Sequence, residues 1–163
     1  MPVPKWTITS GTMFTAVQYG ASGGFPATKG AGLPTKKGKN FFAGGEGGLT
    51  TAAQTINLKN YLNAIKAGNE AFNASAWLGG FSTQSDEATL EIDWRHGKKL
   101  VGTPVILGPV IESDRAGKTE FLLRTATGTV PATADHAYVT LTMNPISGGY
   151  NDGYADNLSL TLG

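Results

Sequence analysis

Apolar and polar residues alternate most cleanly in Ala88-Thr-Leu-Glu-Ile-Asp-Trp94, where Ala88, Leu90, Ile92 and Trp94 share one face and Thr89, Glu91 and Asp93 the other. A period of two marks a strand with one buried side. Ala137-Tyr-Val-Thr-Leu-Thr-Met143 repeats it with Val139, Leu141 and Met143 inward, and Asn157-Leu-Ser-Leu-Thr-Leu162 does so with Leu158, Leu160 and Leu162. Less regular strand candidates, each bounded by Gly, Pro or Asn, are Trp6 to Ser10, Met13 to Tyr19, Asn40 to Ala43, Ala52 to Leu58, Ala71 to Leu78, Val105 to Val110 and Glu120 to Thr125. About ten strands suit two packed sheets. The pattern therefore predicts an all-β fold, an antiparallel sandwich or jelly roll, as a single domain over residues 1–163.

A helical period occurs in Leu58 to Ala67 (LKNYLNAIKA), where Leu58, Tyr61, Leu62 and Ile65 fall on one face and Gly68 stops the run. It predicts one short helix over an open end of the sandwich. Gly20 to Lys39, Gly44 to Leu49 and Gly79 to Glu87 show no period and read as loops, the first long enough to expect a function for it. There is no repeat of solenoid or propeller length and no linker that would divide the chain.

Composition narrows the function classes. With 163 residues, 40% of them hydrophobic, there is material for one core, and the 23 Gly and 8 Pro supply turns at the spacing short strands need. The absence of Cys removes disulfides and thiolate metal sites. Lys and Arg number 13 against 12 Asp and Glu, whereas a groove that tracks a nucleic-acid backbone needs concentrated positive charge, so no nucleic-acid partner is expected. The basic run of Lys29, Lys36, Lys37 and Lys39 lies among Gly and Pro without aromatics and reads as a solvated loop. No stretch approaches the ~18 apolar residues that cross a bilayer, and MPVPKW contains no apolar segment of signal-peptide length, so no membrane insertion is expected. Extracellular or virion-surface work would then require a signal already removed, or release by lysis or incorporation into a particle.

The closing segment Gly148-Gly-Tyr-Asn-Asp-Gly-Tyr-Ala-Asp-Asn-Leu-Ser-Leu-Thr-Leu162 resembles the end of carbohydrate-binding-module-like jelly rolls of the galactose-binding-like class. Val17-Gln-Tyr-Gly20 with Gly24-Phe-Pro26, Asn40-Phe-Phe-Ala-Gly-Gly45, Gln54-Thr-Ile56, Trp77-Leu-Gly-Gly80, Leu107-Gly-Pro-Val110 and Val130-Pro131 extend the resemblance, in order, over nearly the whole chain. It implies a module that binds glycans and catalyses nothing. In that class the closing Asp lies beside a structural calcium, which the resemblance places at Asp156. The early carboxylate of the class is missing, because the first twenty residues hold no acidic side chain. A hard cation takes six to eight oxygens, and Asp156, Asp152 and Glu46 with loop carbonyls near Gly44 to Gly48 are the donors on offer.

Sugar recognition combines a flat apolar face with polar groups for the hydroxyls. Tyr150, Asn151, Asp152 and Tyr154 cluster before the last strand, Tyr19 and Phe25 flank the long loop, and Trp77 has the opposite parity to Ala74, Ala76 and Leu78 and so faces outward. Asn151-Asp-Gly-Tyr also reads as a tight turn, and Asp86-Glu87 as a solvated one. Catalytic readings are weaker. His96 falls in a predicted hairpin turn and His136 just before a strand, both as surface residues. Glu91 and Asp93 point the same way from one strand and do not face each other across a cleft. Gly44-Gly-Glu-Gly-Gly48 is followed by no Lys-Ser/Thr and no helix, so it reads as a flexible turn rather than a phosphate cradle. Two functions remain: a module for a glycan or cell-surface polysaccharide, and a virion accessory that grips capsid or other virion proteins, with self-association as a homo-oligomer open in either.

Overall fold

In the computed structural model, residues 3–11 and 15–163 are described, so Met1, Pro2, Thr12, Met13 and Phe14, including the start of the strand expected from Met13, lie outside the described residues. The alternating segments become strands, and their pairing builds two antiparallel sheets. One runs β1 (Thr7–Ser10), β4 (Thr50–Asn57), β10 (His136–Asn144), β6 (Glu87–His96) and β7 (Lys99–Leu100), with β8 (Val105–Leu107) also on β6. The other runs β2 (Thr15–Gln18), β3 (Asn40–Glu46), β11 (Tyr150–Leu162), β5 (Ala71–Gly80) and β9 (Glu120–Thr129). The long strands from β3 onward switch sheets repeatedly, so the chain winds around one core as an all-β sandwich. The predicted helix forms as a 3-10 turn at Lys59–Tyr61 and α1 (Leu62–Lys66), burying Leu58 and Ile65; Tyr61, expected inward, stays exposed because the tighter first turn rotates it off that face. Among the described residues, no helix is long and apolar enough to cross a membrane.

The core between the sheets is the one the period predicts. Ala88, Leu90, Ile92 and Trp94 of β6 and Leu141 and Met143 of β10 are at most 2% exposed, and Leu158, Leu160 and Leu162 of β11 pack against them. A second cluster was not foreseen. Phe41, Phe121, Tyr154 and Trp77 each have the parity opposite to a core neighbour (Phe42, Leu122, Ala155 and Leu78), so they project from the outer face of the five-stranded sheet. There Tyr19, Phe41, Phe121 and Tyr154 form tilted and edge-to-face ring pairs with centroids 4.9 to 6.0 Å apart. The Gly20 to Lys39 loop folds over them and adds Ala21, Phe25 and Leu33. Its length therefore serves to cover apolar rings on a face that a bare sandwich would leave wet.

Candidate functional site

Beyond that covered patch, the outer face of the five-stranded sheet is open and arranged in cross-strand rows. Trp77 of β5 lies between Leu123 of β9 and Asp156 of β11. The next row is Thr125, Ser75 and Ser159, and the one after it Thr127, Asn73 and Thr161. Trp77 and Ser75 are half-buried, Leu123 is 46% exposed, and Asn73, Thr125, Thr127, Ser159 and Thr161 of the outer rows are exposed. The result is a flat surface with an apolar step beside a field of hydroxyls. Asp156 is held in place: its Oδ2 accepts the Tyr19 hydroxyl at 2.6 Å and its Oδ1 accepts the Asn157 N–H at 2.7 Å. A carboxylate has about four acceptor positions, so two remain for a ligand. Burial and the bond to Asp156 push the Tyr19 phenol far upward, so it stays a donor, and the Lys37 ammonium sits 4.2 Å over its ring.

Of the residues expected to bind ligand, Trp77 is on this face as its parity predicted, and Asp156 joins it. Tyr19 is only 3% exposed, and its hydroxyl is taken up by Asp156. Tyr150, Asn151, Asp152 and Tyr154 do not form an exposed loop or a tight turn. They begin β11, and Asn151, Asp152 and Tyr154 are buried, because β11 pairs on both edges and the long loop covers its outer side. Tyr150 is half-buried with its ring edge-on to Phe25. The glycine-rich segment likewise continues β3 as far as Glu46, and Gly44 is required there: a Cβ would lie 2.2 Å from the Asn151 side chain.

These buried polar groups tie together one end of the sandwich. Asn151 donates through Nδ2 to the Gly48 and Met143 carbonyls, each at 2.9 Å, and accepts the Gly153 N–H. Asp86, read from sequence as solvated, is fully buried: its Oδ1 accepts the N–H groups of Ile146 and Ser147 at 2.6 Å and its Oδ2 that of Asp152 at 2.9 Å. Arg115, also fully buried, donates to the carbonyls of Ser82, Gln84 and Lys118. Loops without a ladder need such partners for their backbone groups. Burial pushes the Asp152 carboxyl up, the nearby Asp86 adds to this, and the hydrogen bond from Tyr154 and the charge of Arg115 oppose it.

The calcium set does not come together. Asp152 accepts the Tyr154 hydroxyl, Asp156 is engaged by Tyr19 and its own strand, and Glu46 is exposed at the end of β3. Among the described residues no group of three or more His, Asp or Glu is placed so that it could hold a metal ion, and a calcium site takes six to eight oxygens. We expect the melting temperature to move by less than about 1 °C between millimolar calcium and excess chelator; a calcium-dependent rise of several degrees would contradict this placement.

The histidines, expected as surface residues, share a carboxylate, with the His96 side chain 68% exposed and that of His136 31%. Asp135 lies 3.0 Å from His96 Nδ1 and 2.6 Å from His136 Nδ1, and it also accepts the Gly97 N–H at 2.8 Å. The His136 bond first, then the Gly97 N–H, hold the Asp135 carboxyl below its usual range.

No protein-family model matches the chain, and no curated protein does. Solved structures do match in shape. A family 61 carbohydrate-binding module, TmCBM61 in complex with β-1,4-galactotriose, superposes with a TM-score of 0.52 at 12% identity over 98% of this chain and 88% of that one. The chain has the β-sandwich fold of carbohydrate-binding modules. A Clostridium thermocellum xylanase 10B structure with CBM22-1 and GH10 modules, complexed with xylohexaose, matches at TM-score 0.51 and 12% identity over 97% of this chain and 25% of that one. The enzymatically active domain of a bacteriophage CBA120 tailspike protein matches at TM-score 0.59 and 14% identity over 98% of this chain and 19% of that one. The chain thus spans about a quarter of the xylanase chain and a fifth of the tailspike chain.

Residues that sequence reasoning missed are Leu123 and the rows of Asn73, Ser75, Thr125, Thr127, Ser159 and Thr161. A signal was present, since Asn73 and Ser75 alternate with Phe72, Ala74 and Ala76, and Thr125 and Thr127 flank Ala126. The same alternation marks the solvent side of every half-buried strand, so by itself it singles out no ligand face.

Proposed function

We propose that this chain is a non-catalytic glycan-binding module that works outside the cell and holds a saccharide on the open outer face of its five-stranded sheet. The supporting observation is the row Leu123–Trp77–Asp156, which sets an aromatic ring directly beside a positioned carboxylate. The indole gives the C–H face of a sugar ring an apolar surface, Asp156 accepts its hydroxyl protons, and the Ser and Thr rows beyond extend contact to a short oligosaccharide. The fold shared with carbohydrate-binding modules solved with galactotriose and xylohexaose supports the ligand class. Screening the tagged protein against immobilised plant and microbial polysaccharides tests the reading: retention by at least one is expected, and folded protein retained by none overturns it. The second reading, a virion accessory, draws on the tailspike likeness, and a chain that stabilised virus particles while ignoring every polysaccharide would favour it.

A further inference from the structure

The hairpin end of the six-stranded sheet presents a pocket unrelated to the face described above. It has a volume of about 480 Å³ and is lined by Thr55, Arg95, Gly97, Lys98, His136 and Tyr138. Thr55 pairs with Tyr138 and His136 with Arg95 across the strands, and their core-facing neighbours Ile56, Trp94 and Ala137 show that these four side chains project outward. We propose that this pocket is a second saccharide subsite, selective for a sugar that carries a carboxylate; the saccharide part of this assignment rests on the glycan-binding reading.

The chemistry follows from how each group is held. The Arg95 guanidinium lies 3.9 Å over the Tyr138 ring centroid and 3.4 Å from Asp93, so its plane is fixed while it remains 29% exposed. A guanidinium so oriented suits a planar carboxylate. His136 uses Nδ1 on Asp135, which leaves Nε2 as its remaining polar atom. Among the described residues Lys98 has no carboxylate within salt-bridge distance, whereas Arg95 and His136 each have one. Lys98 therefore offers a positive charge without a close carboxylate partner, beside an aromatic ring and the Thr55 hydroxyl. Its size admits a sugar ring. The carboxylates facing this region are Asp93, Asp135 and, one row on, Glu91; Asp93 and Asp135 already engage Arg95 and the two histidines. A single anionic group fits this balance, and a long polyanion does not.

Calorimetric titration with galacturonate, which carries one carboxylate, and with its neutral methyl ester, on wild type, on Arg95→Gln/Lys98→Gln and on Trp77→Ala, tests the proposal. The double variant gives up the Tyr138 stack and the Asp93 contact, so it should lower the melting temperature by about 4 °C at most, and titration well below that midpoint keeps folding out of the result. Wild type is expected to prefer the acid form, and the double variant to lose about tenfold in affinity for it, in keeping with the removal of two exposed charge contacts. Trp77→Ala should bind the acid form as wild type does. Equal binding of acid and ester, or an acid affinity unchanged by the double variant, would overturn the subsite. Displacement of galacturonate by equimolar inorganic phosphate would also overturn it, by showing that a bare anion suffices. Acid binding that depends on Arg95 and Lys98 in a chain that retains no neutral polysaccharide would leave this subsite standing while the outer-face reading failed.

Discussion

Asp86→Ala is expected to lower the melting temperature by about 10 °C in scanning calorimetry, a larger loss than any exposed carboxylate in the chain should give. The substitution strips the acceptor from three backbone N–H groups, the buried one of Asp152 and the part-buried ones of Ile146 and Ser147. Leaving a buried donor unpaired costs about 1–3 kcal/mol, more where several lose one acceptor together, and in a chain of this size each kcal/mol moves the midpoint by about 2–4 °C. The loss should be local to the end formed by the 81–86 and 145–152 segments, with amide exchange there accelerating before the β6–β10 ladder is touched. A shift under about 2 °C would mean that water replaces the carboxylate without penalty, and that the end is not held as described.

Trp77→Ala should weaken saccharide binding at the outer face by about 30-fold or more, the loss of about 2 kcal/mol that marks a central aromatic contact. Its effect on stability should be modest, since one side of the ring faces the open rows while the other rests on the covered aromatic cluster. Trp94→Ala makes the contrast: that ring is 1% exposed between the sheets and packs on Phe72 with centroids 5.1 Å apart, so its removal should destabilise by about 3–5 kcal/mol and alter binding only through unfolding. Intrinsic fluorescence separates the two, because a ligand-induced change in wild type should vanish in Trp77→Ala and persist when Trp6 or Trp94 is conservatively replaced by Phe. Affinity unchanged in Trp77→Ala would remove the proposed face.

What the sequence revealed and what it hid follow from how many sides of a strand are buried. Where one side faces water, as in β6 and β10, the alternation of Leu90, Ile92, Val139 and Leu141 with Glu91, Asp93, Tyr138 and Thr140 reports the buried face correctly. Where a distant loop buries the second side, the alternation disappears. The start of β11 has core on one face and the Gly20 to Lys39 loop on the other, so Tyr150-Asn-Asp-Gly-Tyr154 looked like a turn when it is a strand. Phe41 and Phe42 show the same ambiguity in miniature, as adjacent phenylalanines that serve opposite sides of one sheet. Asp86 was illegible for a related reason: its partners lie 60, 61 and 66 residues away, and no local spacing announces them. The resemblance assigns Asp156 to a metal, and no local spacing shows what the cross-strand register does, that it stands beside Trp77.

Backbone amide shift mapping by NMR, with the best-retained oligosaccharide titrated into labelled protein, addresses the outer-face assignment most directly. The account predicts shifts concentrated in Asn73 to Trp77, Leu123 to Thr127 and Asp156 to Thr161, with the β4–β10–β6 ladder unmoved by a neutral ligand. Shifts confined to the six-stranded sheet or to the loops at either end, with those three segments silent, would contradict it.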